Sequence, residues 1–246
     1  MVLAKAFNEY VANIKVALLF ALLLLFVPVF IMPFFGSGIF LSSGTLFLEY
    51  ELSQYSVIQI LLAIIFLAPF SFFVSLVVFG VRRDLSKVKV EFYLDEMIKK
   101  FSFRLFLFYS LLFLLFFGVS LAVSTASAYA VFIAYIAMLI IGLLFLFVPQ
   151  ALVVDEVTLR NALLESVSFV KRNPKSAFIV LFVGSALLAI VALIEYLLDL
   201  FFIELFVGEF VALLMVLIFV VPFIEVLKTY LYMLKFHLIK KSESVG

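Results

Sequence analysis

Cysteine is absent from this chain, and histidine occurs once, at His237. Without cysteine the protein can form no disulfide, no thiolate metal site and no cysteine nucleophile. A single histidine cannot build a histidine-based metal cluster within one chain. The sequence also lacks a Gly-x-Ser-x-Gly motif, a His-Glu-x-x-His zinc motif and a phosphate-binding glycine loop. We therefore expect no cofactor, no metal site and no enzymatic activity.

Charged residues are also scarce. Asp, Glu, Lys and Arg make up 13 % of the chain, whereas about 25 % is usual for a soluble domain. Apolar residues make up 68 %, 34 residues are Phe, and the mean hydropathy is +1.38. A water-soluble fold of this length would have too few polar residues to cover so much apolar surface. The composition therefore predicts an integral membrane protein.

Six apolar stretches are long enough to cross a bilayer, which takes about 20 helical residues. They cover residues 16–34, 57–79, 105–123, 130–153, 177–198 and 210–234. These runs are continuous and lack the alternation of membrane strands. The first run is longer than a signal-peptide core and has no clear cleavage site after it, which indicates a retained span. The predicted fold class is all-α, a polytopic integral membrane protein with six transmembrane helices.

The positions of the basic residues predict the orientation of these spans. All 17 Lys and Arg residues lie in the N-terminal segment, in the second and fourth connections, or in the last inner turns and the tail. The first, third and fifth connections contain none. Because positive residues mark the cytoplasmic side, we predict a multi-pass protein of the cell membrane with both termini cytoplasmic.

Three prolines at comparable places indicate an internal repeat. Pro69, Pro149 and Pro222 lie in the even-numbered spans, within the strings IFLAPF, FLFVPQ and IFVVPF. A charge-bearing amphipathic segment precedes each pair of spans. We predict one membrane domain, residues 1–246, built from three hairpins that each follow a cytoplasmic amphipathic helix, with approximate repeats at 1–80, 81–153 and 154–241. The alternative is chance alignment, since proline is fairly common in membrane helices.

Residues 148–182, VPQALVVDEVTLRNALLESVSFVKRNPKSAFIVLF, carry a family-like pattern. A proline near the end of the fourth span is followed by an acidic residue, a short helix, a basic turn and the fifth span; the matching positions are Pro149, Asp155 or Glu156, Ala162-Leu163, Ser166 and Lys171-Arg172-Asn173. This pattern resembles the six-helix membrane domain attached to some bacterial glycerophosphoryl diester phosphodiesterases, and related uncharacterised archaeal and bacterial membrane proteins. Asn161 stands where the short helix of that family has Glu. The resemblance implies a six-helix fold without catalytic residues, because the hydrolase of the fused proteins is a separate soluble domain.

Charged residues within or beside the spans are candidates for an intramembrane polar site, because charge in a membrane is costly. Glu225 and Lys228, at i and i+3 in the last span, are spaced to form an ion pair. Asp155 lies six residues after Pro149, and Lys228 lies six residues after Pro222, so the two occupy the same position relative to their repeat prolines. Either Asp155 and Lys228 meet in an inner polar vestibule, or both lie at headgroup level, with the Lys228 side chain reaching the surface.

The connection from residue 81 to residue 104 is rich in basic side chains. Arg82, Arg83, Lys87 and Lys89 are candidates for binding anionic lipid headgroups, each worth on the order of 1 kcal/mol near a charged surface. Ordinary positive-inside topology and docking of a cytoplasmic partner are the alternative explanations. Nucleic-acid binding is not expected, because no aromatic and basic recognition module accompanies these charges.

An acidic group lies on the opposite side of the predicted bundle. Its members flank the fifth connection: Glu195, Asp199, Glu204 and Glu209. Either they form a cation or partner site, or they are solvated acids at the membrane surface.

Two functions are compatible with these patterns. The first hypothesis is a non-enzymatic accessory or scaffold protein that interacts with membrane lipids, supported by the absence of catalytic motifs, the amphipathic segments and the family resemblance. The alternative is a transporter or permease subunit coupled to a cytoplasmic partner, because repeats and proline-interrupted helices are common in transporters. A hydrated cavity lined by Asp155, Glu225 or Lys228 would favour transport, and a tightly packed interior would favour the scaffold.

Overall fold

The computed structural model of the chain describes residues 2–15, 18, 39–42, 45–48, 56–86, 97–123, 127–201 and 207–235. The predicted first span, residues 16–34, lies outside this part of the chain except for Leu18. Lys87, Lys89 and His237 lie outside it as well. The other five predicted spans lie within it.

The described residues are mostly helical. The α-helices are α1 (Val2–Ala12), α2 (Ser56–Leu85), α3 (Phe103–Val123), α4 (Ala128–Leu144), α5 (Val148–Val154), α6 (Leu159–Arg172), α7 (Pro174–Phe201), α8 (Val207–Met215) and α9 (Val221–Lys235). Two π-helical segments, Ile98–Ser102 and Val216–Val220, lead directly into α3 and α9. Such segments are rare and usually mark an irregularity within a longer helix.

A short antiparallel β-hairpin precedes α2. Strand β1 (Ile39–Ser42) pairs with β2 (Thr45–Leu48), and Ile39 lies opposite Leu48. Phenylalanine, isoleucine and threonine, which make up four of the eight strand residues, suit β-structure. Each strand has only 4 residues, too few to produce the hydropathy signal of a span. The prediction of helix alone therefore missed this hairpin.

Five helical stretches among the described residues are long and apolar enough to cross a membrane. They are Ala63–Leu85, Ile98–Val123, Ala128–Val154, Pro174–Phe201 and Val207–Leu234, with mean hydropathies between 2.4 and 3.0. These stretches overlap the second to the sixth predicted spans. The prediction of a helical membrane protein is confirmed at this level.

Proline interrupts two of these stretches. Because proline lacks an N–H and its ring clashes with the preceding turn, it removes a backbone hydrogen bond inside a helix. A turn over residues 145–147 separates α4 from α5, which contains Pro149 in its first turn. The π-helical segment Val216–Val220 lies directly before Pro222. Helix α2, in contrast, continues through Pro69.

Helices α2, α5 and α9 pack against one another at the centre of the bundle. Each of them also contacts a shorter helical segment: Ile98–Ser102 packs on α2, α6 packs on α5, and α1 packs on α9. The core that they share includes Phe73, Leu152, Leu227 and Tyr232, all 0 % exposed. Helices α4 and α7 instead expose many apolar side chains, as lipid-facing helices do.

Candidate functional site

A cluster of four polar side chains is buried between α5 and α9. Gln150, Glu225, Lys228 and Thr229 are at most 6 % exposed, and we call them the polar cluster. The Gln150 Nε2 group donates to Glu225 Oε2 at 2.9 Å, and Lys228 Nζ lies 2.5 Å from Glu225 Oε1. The Thr229 hydroxyl donates to the Glu225 carbonyl oxygen at 2.7 Å. Both carboxylate oxygens of Glu225 are therefore engaged.

Within the polar cluster, the negative charge of Glu225 is paired with the positive charge of Lys228. A lone ion in an apolar interior carries a desolvation penalty of several kcal/mol, which a close partner and further hydrogen bonds offset. Glu225 has both, through Lys228 and Gln150. One acceptor is left over, because Gln150 Oε1 is buried without a hydrogen-bond partner among the described residues.

Asp155 lies apart from the polar cluster, at the end of α5. It is exposed, and its Oδ2 accepts a hydrogen bond from the Tyr232 hydroxyl of α9. Glu165 on α6 lies beside it: burial raises the pKa of Glu165, and the Asp155 carboxyl raises it further. The structure therefore brings together two of the three predicted polar-site residues, Glu225 and Lys228. The structure adds Gln150 to this pair; its uncharged side chain did not distinguish it in the sequence.

Three basic residues converge on the segment that links α5 to α6. Arg82 Nη2 lies 2.9 Å from Glu156 Oε1, and its Nη1 donates to the Val153 carbonyl oxygen at 2.7 Å. Lys100 forms a second ion pair with Glu156, and Arg104 donates to the Val157 carbonyl oxygen at 3.1 Å. We call this group the basic clamp. It ties the end of α2 and the start of α3 to the α5–α6 link.

Glu156 has an unusual backbone conformation within the clamp. Its φ of 55° lies in the left-handed region, which costs a residue with a Cβ roughly 1–2 kcal/mol. The ion pairs with Lys100 and Arg82 offset part of this strain. The hydrogen bond from Lys100, together with the Arg82 guanidinium, holds the pKa of Glu156 below its usual value, although partial burial acts in the opposite direction.

The basic clamp engages one of the predicted headgroup-binding residues and so limits which of them remain accessible to lipid. Arg82 is committed to Glu156 and Val153, and its side chain is only 15 % exposed. Arg83 is 52 % exposed and lies 3.3 Å from its neighbour Asp84. Lys87 and Lys89 lie outside the described residues. Arg82 is thus a structural side chain in this fold rather than a free headgroup ligand.

Side chains from α6 and α1 form hydrogen bonds with backbone groups at the two helix breaks. The Ser166 hydroxyl of α6 donates to the Leu144 carbonyl oxygen at 2.8 Å and accepts from the Phe147 N–H at 3.1 Å. The Tyr10 hydroxyl of α1 donates to the Ile218 carbonyl oxygen at 3.0 Å. Ile218 needs this donor because the residue one turn later is Pro222, which has no N–H. Helices α6 and α1 thus satisfy backbone groups that the two helix breaks leave open.

The acidic group at the other end of the bundle is partly described. Glu195 and Glu209 lie on α7 and α8, and Glu204 lies outside the described residues. A Cβ at Gly208 would lie 2.9 Å from the Glu195 carbonyl oxygen of the α7 backbone, so glycine is favoured at this close approach of α8 to α7. Within the described ranges no group of three His, Asp or Glu side chains is arranged to hold a metal ion.

Comparisons of the chain with protein-family models, with curated proteins and with solved structures found no match. The resemblance of residues 148–182 to the membrane domain of glycerophosphoryl diester phosphodiesterases therefore stays a prediction. The polar cluster, the basic clamp and the helix breaks are the observations on which a functional proposal has to rest.

Proposed function

We propose that the chain is a non-enzymatic accessory or scaffold protein of the cell membrane that interacts with lipids. The enclosure of the polar cluster carries this proposal. Gln150, Glu225 and Lys228 are 0, 6 and 5 % exposed, and they bind one another. A transport pathway needs polar groups that a substrate can reach. An enclosed and internally paired cluster instead stabilises the contact of α5 with α9.

Helix α1 supports the lipid part of the proposal. Ala6 and Tyr10 are buried against the bundle, whereas Leu3, Phe7 and Val11 on the adjacent flank are 46, 46 and 48 % exposed. The remaining flank carries exposed lysine and asparagine side chains. A helix with this distribution suits the membrane interface, where its apolar flank contacts acyl chains and its lysine, Lys5, faces the headgroups.

We also infer six spans in three hairpins, with both termini cytoplasmic. The described Lys and Arg residues lie in or beside α1 and α6, near the end of α2, within α9, or just before and at the start of α3 and α7, and none lies in the described part of the first, third or fifth connection, as the positive-inside rule requires. The contacts of the amphipathic segments support the repeat, because each segment packs on the second helix of a different hairpin: Ile98–Ser102 on α2, α6 on α5, and α1 on α9. This is the cyclic order expected of three equivalent units.

A transporter or permease subunit is the second candidate, and one observation favours it. Broken helices at membrane depth often surround a substrate or ion site. Here the turn over residues 145–147 lies one helical turn from Gln150, whose buried Oε1 has no described partner. Binding of a polar molecule that donates a hydrogen bond to Gln150 Oε1 and exchanges with water would support this second function.

Gentle extraction of the native protein, followed by mass spectrometry of everything that stays bound, tests the first proposal. We expect retained phospholipid and no stoichiometric protein partner. Replacing the apolar flank of α1 (Phe7→Gln with Val11→Gln) reduces the retained lipid, because that flank no longer favours acyl chains. The matched control, Asn8→Gln with Ala12→Gln, changes exposed positions outside that flank and leaves lipid retention unchanged. A stoichiometric ATPase or second membrane subunit would overturn the proposal in favour of a permease complex.

A further inference from the structure

We propose that the elbow between α6 and α7 binds a phospholipid with an anionic headgroup. The elbow consists of the last turn of α6, the linking residue Asn173 and the first two turns of α7. The proposal rests on the lipid-interacting function proposed above, and it adds the class of lipid and the place where that lipid binds.

Three basic side chains surround the elbow. Lys171 and Arg172 end α6, and Lys175 follows at the start of α7; all three are exposed. Among the described residues none of the three takes part in an ion pair, in contrast to Arg82 and Lys100 of the basic clamp. Their charges are therefore available to an external anion.

An apolar groove begins beside these charges. The groove is open to the surface, has a volume of about 450 Å³ and is lined by four residues of α7: Pro174, Lys175, Phe178 and Ile179. Phe178 is 67 % exposed and stacks on Phe182, with 6.3 Å between ring centroids. The two rings continue the groove along the surface of α7, away from the basic end. This combination fits an acyl chain against the rings and a headgroup at the elbow.

The position of the elbow selects a lipid over a soluble partner. Pro174 is both the first residue of α7 and the first residue of a stretch that can cross a membrane. The elbow therefore lies where hydrocarbon gives way to headgroups. Basic pockets at this level bind anionic headgroups, and the positive end of the α7 dipole adds to the attraction. An acidic protein would match the charges and leave the apolar groove empty.

The test is binding of phosphatidylglycerol and phosphatidylcholine to the full chain in detergent micelles, measured by native mass spectrometry. We expect the unmodified protein to prefer phosphatidylglycerol. The triple variant Lys171→Gln, Arg172→Gln, Lys175→Gln should lose at least about 10-fold in affinity for phosphatidylglycerol, since each basic residue contributes to the attraction. Its affinity for phosphatidylcholine should not change. Phe178→Ala should weaken binding of phosphatidylglycerol without affecting the thermal unfolding temperature.

The triple variant Lys15→Gln, Lys99→Gln, Arg160→Gln is the matched control, because it removes three exposed basic residues that lie outside both the elbow and α1. An equal loss of phosphatidylglycerol binding in this control would overturn the elbow as the site. Displacement of the lipid by inorganic phosphate alone would reassign the elbow to a free anion, and an acidic protein retained there in place of lipid would reassign it to a protein partner. Unmodified protein that retains neither lipid contradicts the proposed function itself. Unmodified protein and elbow variant that bind phosphatidylglycerol equally contradict only the elbow.

Discussion

Two pairs of membrane-length stretches have nearly the same hydropathy and very different surroundings. Ala63–Leu85 and Val207–Leu234 have mean hydropathies of 2.5 and 2.9, and 44 and 56 % of their apolar windows are buried. Ile98–Val123 and Pro174–Phe201 have hydropathies of 2.4 and 2.9, with 6 and 17 % buried. Lipid tails are as apolar as a protein interior, so hydropathy does not separate helices that contact protein from helices that contact lipid.

Buried polar residues occur in both pairs, since Ser176 and Glu195 of α7 are buried as well. Ser71 and Ser75 are buried in α2, and Glu225, Lys228 and Thr229 are buried in α9. A polar group that faced lipid would lack hydrogen-bond partners, so such residues are favoured where helices meet. Helix α7 instead exposes large apolar side chains along most of its length. Polar content thus indicates where helices meet, and the exposure of large apolar side chains distinguishes the peripheral helices.

The largest effect should come from breaking the ion pair of the central helices. Glu225→Leu leaves the Lys228 ammonium buried without its carboxylate, and we expect a loss of about 3–5 kcal/mol in the free energy of unfolding. The double variant Glu225→Leu with Lys228→Met should recover most of that loss, because no unpaired charge remains. Unfolding in micelles, followed by circular dichroism during denaturant titration, measures both.

Leu193→Ala on α7 is the control for that experiment. Leu193 is 57 % exposed, so its truncation should change the free energy of unfolding by less than about 0.5 kcal/mol. A Glu225→Leu variant as stable as the unmodified protein would remove the distinction between central and peripheral helices.

A smaller effect is expected at the helix break before Pro149. Ser166→Ala removes the hydroxyl that bonds to Leu144 and Phe147, and leaving these buried backbone groups unsatisfied should cost about 1–3 kcal/mol. Ser185→Ala, at an exposed position on α7, is the matched control and should be nearly neutral. The same denaturant titration applies. Equal losses in the two variants would mean that Ser166 does not support the break.

The smallest effect should appear as a pH dependence of the basic clamp. The folded-state pKa of Glu156 is below its ordinary value of 4.5, so its stabilising contribution is complete above that pH and is lost as the pH falls through the folded pKa. The difference in thermal unfolding temperature between the unmodified protein and Glu156→Gln should therefore shrink in acid. The clamp is partly solvent-exposed, so screening keeps the effect small.

Glu165 gives the opposite dependence. Its pKa is raised by burial and by Asp155, so its contribution is present at low pH and is lost as the pH rises through the raised pKa. Glu165 is present in both the unmodified protein and the Glu156→Gln variant. Its contribution therefore cancels when their thermal unfolding temperatures are compared at the same pH. A difference that stays constant from about pH 3 to pH 7 would contradict the role of Glu156 in the clamp.

The membrane class and most of the described helices were predictable from the sequence, whereas the polar cluster was predictable only in part. Periodicity and length were sufficient for five spans and for the helices α1 and α6, because each depends on neighbours along the chain. The spacing of Glu225 and Lys228 correctly suggested a pair. Gln150 was missed because it is uncharged and lies on another helix. The commitment of Arg82 to Glu156 was also not predictable, because 156 is remote from 82 in sequence.

The sequence by itself determined that this chain belongs in a membrane and where its apolar helices lie, because those properties depend on composition and on spacing along one segment. The tertiary structure decided which helices meet, which carbonyls Ser166 and Tyr10 bond to, and which basic residues remain free. An apolar helix surface accepts lipid and protein almost equally well. Only packing of distant segments therefore distinguishes the buried polar cluster from the exposed basic elbow.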